Sequence, residues 1–153
     1  MNYLAENDPI LQELCSGQPL AVLATDAGHS PYTSLVAVAV TADLRQLYFA
    51  TARSSRKWAN LVANSQVSLL IDNRSNQVAD FSEAAAATIL GSAEQLTGAE
   101  LEAGLSLLLG RHPHLREFTA SPGCALFRVQ IASIYLVTCF QNVREFHFAP
   151  TSS

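Results

Sequence analysis

Apolar and polar positions along this chain fall into short alternating runs, broken in a few places by helical spacing. The first segment, "NDPILQELCS" at 7–16, opens with a capping pattern. Asn7 or Asp8 serves as N-cap, Pro9 fits the first turn and Gly17 fits the stop, so a short helix is predicted. Then "PLAVLAT" reads as a strand, "DAGHSP" as a turn, "YTSLVAVAVT" as a second strand, "ADLRQ" as a turn and "QLYFAT" as a third strand. Such short connections imply antiparallel neighbours, because a parallel crossover needs about a dozen residues or more.

After Thr51 the period changes. "SSRKWANLVAN" sets Trp58, Leu61 and Val62 at helical spacing behind Ser54 or Ser55 as cap. "QVSLLID" and "ATILGSAEQL" read as strands on either side of a polar, poorly patterned connection at 73–83. "GAELEAGLSLLLG" is an amphipathic helix with Leu101, Leu105, Leu108 and Leu109 on one face, and "RHPHLREF" is irregular or a short helical turn. "CALFRVQIASIYLVTC" is a long strand with a bend near Ala132 and Ser133. Six strands, mostly antiparallel, with few helices predict a small barrel rather than an α/β sandwich. The whole of 1–153 reads as one domain.

Composition narrows the partners. With 49% apolar and only 14% charged residues, the chain has much to bury and a surface poor in charge, which points to a homo-oligomer. A net charge of -4 argues against nucleic acid or an anionic membrane as the main partner. No apolar run approaches the ~20 residues of a membrane span, and the N-terminus carries neither a basic nor an apolar signal region. Cys15, Cys124 and Cys139 form no CxxC and are expected to be reduced, mostly buried thiols of a cytoplasmic protein.

Against that background one stretch stands out. Of nine basic residues, three (Arg53, Arg56 and Lys57, the single lysine) fall within 53–57. Thr51, Ser55, Arg56 and Lys57 mark the place where a strand ends and a helix begins. Free N–H groups there favour anions, and hydroxyls and cations add directional bonds, a set that suits a phosphate monoester. The alternative is a capped helix with a solvated basic first turn. Bases in a first turn, however, oppose the helix dipole.

"FATARSSRK" resembles the FYTN-x-x-SRK segment of pyridoxamine 5'-phosphate oxidases and of the wider FMN-binding split-barrel superfamily, with the Thr51-to-Ser55 spacing and the Ser-Arg-Lys triplet intact. "LAVLATDAGHSPYTSLVAVAV" resembles that family's first hairpin, "NLVANSQVSLLI" its helix end and next strand, and "ILGSAEQL" a V-x-G-x-A-x-x-L strand. The resemblance implies a mainly β chain with flanking helices, a six-stranded antiparallel split β-barrel, a homodimer and FMN at the dimer interface. It assigns the FMN phosphate to Thr51, Ser55, Arg56 and Lys57, and lays Tyr32, Thr33, Ser34 and Leu35 of the second strand along the flavin.

Three departures separate the chain from the vitamin B6 oxidases themselves. Thr33 and Ser34 stand where those enzymes carry an arginine, Ala85 and Ala86 where they carry Arg-Gln, and their C-terminal substrate segment is absent from "VREFHFAPTSS". The resemblance therefore implies an FMN-dependent oxidoreductase of unknown substrate. The other reading is a non-catalytic flavin- or haem-binding module, and deazaflavin enzymes share the same fold. No catalytic acid, base or nucleophile is identified, and no metal site is expected. His112 and His114 read as surface residues and His29 as a turn residue. His147 reads as part of a frayed terminus, though it could contact a haem. Trp58 reads as a packing residue, and Phe140 either as an edge to the flavin or as a barrel-closing aromatic.

Overall fold

The computed structural model describes residues 4–150; positions 1–3 and 151–153 of the expected domain lie outside the described residues. Eight strands are present among them: β1 (Leu20–Thr25), β2 (Tyr32–Ala37), β3 (Ala39–Val40), β4 (Gln46–Ala52), β5 (Gln66–Asp72), β6 (Ala85–Gln95), β7 (Cys124–Thr138) and β8 (Asn142–His147). Five helices flank them: α1 (Pro9–Gly17), α2 (Arg56–Ala63), α3 (Asp80–Glu83), α4 (Gly98–Arg111) and α5 (Arg116–Ala120). The sheet runs β2-β1-β5-β6-β7-β4-β3 with β8 added on β7, and every pairing is antiparallel. This is an open, curled antiparallel half-barrel. The count corrects the expected six strands in two ways.

The first correction lies in the second predicted strand, which is two elements. Val38 alone separates β2, at one edge of the sheet, from β3, at the other. The chain turns this corner with its bend residue fully buried and its peptide groups satisfied elsewhere. Val38 N donates to Pro19 O at 3.1 Å, and Val38 O lies 2.8 Å from His112 Nε2. His112 is only 3% exposed, so it is a buried corner post and not the surface residue expected. Its carbonyl partner explains why: a buried backbone oxygen outside a ladder needs a donor.

The second correction is β8. The tail was expected to fray, yet 142–147 pairs with 133–138 of β7. It is pinned from outside the sheet as well, because Arg144 Nη2 lies 3.0 Å from the buried carboxylate of Asp8. That same carboxylate caps α1, accepting from Ile10 N at 3.1 Å and Leu11 N at 3.0 Å. One residue thus both starts the first helix and holds the last strand.

Long β7 bends where the sequence predicts. Register with β6 slips between Leu90 and Gly91, which pair with Ser133 and Ile131, leaving Ala132 as the extra residue of a β-bulge. Gly91 is required there, since a Cβ would sit 2.2 Å from Gln130 O. The main core lies inside the curl, around Leu23, Leu47, Phe49, Leu69, Ile89 and Ile134, with the Phe49 and Phe127 rings stacked at 5.6 Å. A second cluster, Tyr48, Leu96, Leu108 and Leu126, lies under α4. The helix approaches closely because Gly104 has no Cβ to meet the Tyr48 ring and Leu126, which would come within 3.0 Å of one.

Trp58 packs against the main core as expected. The cysteines follow expectation only in part, for Cys15 is buried, Cys124 half-buried and Cys139 exposed. Burial pushes the Cys15 thiol up to about 12, with Arg111 opposing. Among the described residues no helix is long and apolar enough to cross a membrane, and no group of three metal-ligating side chains converges.

Candidate functional site

Strand β4 ends at Ala52, and α2 begins at Arg56 after a tight turn closed by Ser55 N donating to Ala52 O at 3.1 Å. Of the two candidate caps, Ser55 takes the role: its Oγ accepts from Trp58 N at 3.2 Å and donates to Ala52 O at 2.7 Å. Thr51, 1% exposed on β4, places its Oγ1 3.0 Å from Ser55 Oγ. The first turn of α2 holds no acidic residue. The N–H groups of Arg56 and Lys57 and both their cationic side chains have no carboxylate or carbonyl partner among the described residues. Two uncompensated cations thus stand beside two hydroxyls at a helix N-terminus, where the dipole already repels positive charge. Arg56 is exposed and Lys57 half-buried, so both cations are open to solvent or to an anion.

Next to this turn a groove of about 360 Å³ runs between β2 and β4, lined by Thr51, Lys57 and Leu35 and walled by Leu115 and Phe118. The structure therefore brings Thr51 to Ser55, and Leu35 to Thr51 and Lys57. Arg56 finds Tyr32, its Cζ 5.6 Å from the ring centroid. Thr33 and Ser34 do not line the groove. Thr33 is exposed, and Ser34 Oγ, shut off from solvent, has no hydrogen-bond partner among the described residues. The walls at Leu115 and Phe118 were missed because "RHPHLREF" shows little periodicity. It folds as a 3₁₀ turn, Pro113–Leu115, running into α5, and the i, i+3 spacing of the two apolar residues was the available signal.

Two other hollows differ in kind. One of about 590 Å³ lies at the far end of β5, β6 and β7, floored by Leu70, Val137 and the small residues 84–86. Its lip is Phe81 stacked on Phe140 at 5.5 Å, both exposed, so Phe140 closes no barrel. The largest, about 950 Å³, lies between the N-terminal segment and β8. Its arginines are already engaged, Arg144 by Asp8 and Arg45 over the Phe148 ring at 5.1 Å, and the carboxylates of Glu6, Asp43 and Glu145 also line it. His147 borders it from β8 rather than from a frayed end, its Nδ1 2.9 Å from Ser133 Oγ.

Residues 8–138 match the family described as pyridoxamine 5'-phosphate oxidase. Among curated proteins none matches this chain in sequence. Among solved structures the chain is similar to a haem-binding protein from Mycobacterium smegmatis, with a TM-score of 0.82 at 16% identity over 96% of this chain. It spans only 59% of that protein's length. It is also similar to HutZ, the haem storage protein of Vibrio cholerae (TM-score 0.71, 18% identity, 81% of this chain and 89% of that one). A third is an FAD-binding protein from Mesorhizobium loti (TM-score 0.64, 16% identity, 84% of this chain and 93% of that one). At such identities the likeness shows a shared fold.

Proposed function

The chain belongs to the pyridoxamine 5'-phosphate oxidase family, and from that premise we propose that it is a cytoplasmic FMN-binding oxidoreductase acting on a small-molecule substrate or electron donor. The observation that carries this reading is the uncompensated pair Arg56 and Lys57 beside Thr51 and Ser55 at the start of α2. These residues fit a phosphate monoester: the two free N–H groups donate directionally, the cations supply charge-assisted bonds, and the Thr51–Ser55 hydroxyl pair makes the adjoining surface polar. Leu35, Leu115 and Phe118 offer apolar contact beside it. Thr33 and Ser34 belong to the strand that we place along the flavin, with Tyr32 at its start against Arg56 rather than against the ring. Once bound, the flavin supplies the electron chemistry. The chain's own part is to grip the phosphate, orient the ring and exclude water.

We further propose a homodimer. The phosphate end and the apolar Phe140 groove are separated along β7, from Ala125 opposite Thr51 to Val137, by about 40 Å of strand at ~3.3 Å per residue. A phosphate held at one end of a chain leaves that chain's apolar groove out of its ligand's reach, whereas a second copy can bring its own groove to the ring. The exposed Leu35, Phe81 and Phe140 side chains support such a contact.

The alternative is a module that binds flavin or haem without turnover, and the haem-binding and haem-storage proteins among the structural neighbours favour keeping it. Fluorescence titration with FMN and riboflavin tests the first reading. Arg56→Ala should weaken FMN about ten- to a hundredfold, as expected for a charged hydrogen bond of roughly 1.5–3 kcal/mol, and leave riboflavin unchanged. Equal losses for both ligands would reduce the cluster to a helix start. Reduction of the bound flavin by NADH or NADPH with turnover separates enzyme from binder, and a Soret band on adding haem would favour the haem reading.

A further inference from the structure

Arg56 and Asn60, four residues apart, share one face of α2, and Asn64 caps its C-terminal end. Each reaches the same end of the β1–β2 hairpin. Asn64 Nδ2 donates to Asp26 O at 2.7 Å, Asn60 Nδ2 donates to Thr25 Oγ1 at 3.0 Å, and the Arg56 guanidinium lies over the Tyr32 ring at 5.6 Å. Thr25 and Tyr32 are direct cross-strand partners. The helix and its C-cap are thus held against the hairpin at three points, and the one nearest the N-terminus is a cation on an aromatic face.

We propose that Tyr32 is a positioning residue for Arg56, holding its guanidinium in place before the ligand arrives; this rests on the phosphate reading of the preceding section. A guanidinium stacks through its flat face and donates through its edge, so Tyr32 and a phosphate use different parts of Arg56 and do not compete. An unrestrained arginine loses rotamer freedom when it grips a ligand, and a side chain already stacked loses less, which strengthens binding without a new contact. Tyr32 has the room to do this at small structural cost: it is 39% exposed at the start of an edge strand. The cation over the Tyr32 ring is Arg56, not Lys57.

The test is titration of Tyr32→Ala, Tyr32→Phe, Arg56→Ala and the Tyr32→Ala/Arg56→Ala double variant with FMN and with riboflavin, each checked for native fold by circular dichroism. Tyr32→Ala should weaken FMN about two- to fivefold, the range of an exposed cation–π contact. Tyr32→Phe should bind FMN as the parent does, riboflavin should be unmoved by either, and Tyr32→Ala should add nothing once Arg56 is gone. Tighter FMN binding by Tyr32→Ala would mean that the ring competes for Arg56 and would overturn the proposal. So would equal losses for riboflavin, which would make Tyr32 a flavin contact, or a full loss persisting in the Arg56→Ala background. A loss with Arg56→Ala but none with Tyr32→Ala sinks the positioning role alone. No loss with Arg56→Ala removes the phosphate reading and the positioning role together.

Discussion

At the α2 end of the sheet, polar groups are left open: two cations and two backbone N–H groups stand beside the Thr51–Ser55 hydroxyl pair with no carboxylate among the described residues to answer them. At the far end of β7, the polar groups answer one another. Arg74 pairs with Asp72 at 2.8 Å, and the Asp80 carboxylate takes the N–H groups of Ser75 and Asn76 and the Ser75 hydroxyl. What remains open there is apolar, the Phe81–Phe140 pair over a floor of small side chains. One end can recognise charge and the other can recognise area. In the homodimer proposed above, a ligand with a phosphate at one extremity and a ring at the other draws on one kind of surface from each copy.

The largest disturbance should strike both ends at once. Gly91→Ala sets a Cβ against Gln130 O at 2.2 Å and Val129 Cγ1 at 2.8 Å, at the bulge that bends β7. The backbone must shift, at a cost of about 3 kcal/mol. Urea unfolding should show a lower midpoint, with FMN and riboflavin weakened together. A parent-like midpoint would show that the bulge tolerates a side chain and that the two ends do not depend on it.

Alkali attacks the same shared core. The Cys15 pKa is raised from 9.0 to about 12 by burial. Below pH 9 both the folded and unfolded chains hold the proton, so the stability is fully present. Above it the unfolded chain ionises while the folded one does not, and stability should fall by about 1.4 kcal/mol per pH unit until the folded thiol itself titrates. Cys15→Ala should flatten that slope in pH-dependent unfolding between pH 9 and 11. An unchanged slope would place the alkaline loss elsewhere.

The apolar end alone is broken by Phe81→Ser with Phe140→Ser. Losing the stacked pair should weaken FMN and riboflavin by the same factor, about five- to thirtyfold for 1–2 kcal/mol of aromatic contact. It should also shift sedimentation towards monomer. Arg56→Ala, by contrast, should touch FMN only. If the double variant leaves both ligands and the sedimentation unchanged, the groove has no part in the site.

The charged end was legible in the sequence and the apolar end only at Phe140, for a physical reason. The α2 site is local: strand end, cap and cations lie within 51–57, and local spacing is what a sequence displays. The bend in β7 was visible too, because small polar Ser133 interrupts a β-branched run. The far groove assembles residues from 70 to 140, brought together only by strand register. His112 was misread because its role depends on a carbonyl 74 positions away, at a corner that continuous apolar pattern conceals. Strand β8 was missed because its burial is slight, with only Phe146 buried, and its anchor is the distant Asp8.

The smallest expected effect concerns how the apolar end is held. Cys139 and Phe140 occupy the two central positions of the β7–β8 turn, with φ of 52° and 57°, and Gln141 N donates to Thr138 O at 3.2 Å across it. Primed turns of this kind normally take Asn-Gly, since a side chain at positive φ costs about 1–2 kcal/mol. Cys139→Asn should relieve part of that strain and raise the melting temperature by about 2–4 °C for roughly 1 kcal/mol. It should leave both ligand titrations unchanged, because Cys139 does not line the groove. Phe140→Gly relieves its own position equally but removes the ring, so its gain in stability should come with a loss of FMN and riboflavin alike. A melting temperature that falls with Cys139→Asn would mean the turn is not strained at that residue. A riboflavin affinity that survives Phe140→Gly would mean that the aromatic held there serves the turn and not the ligand.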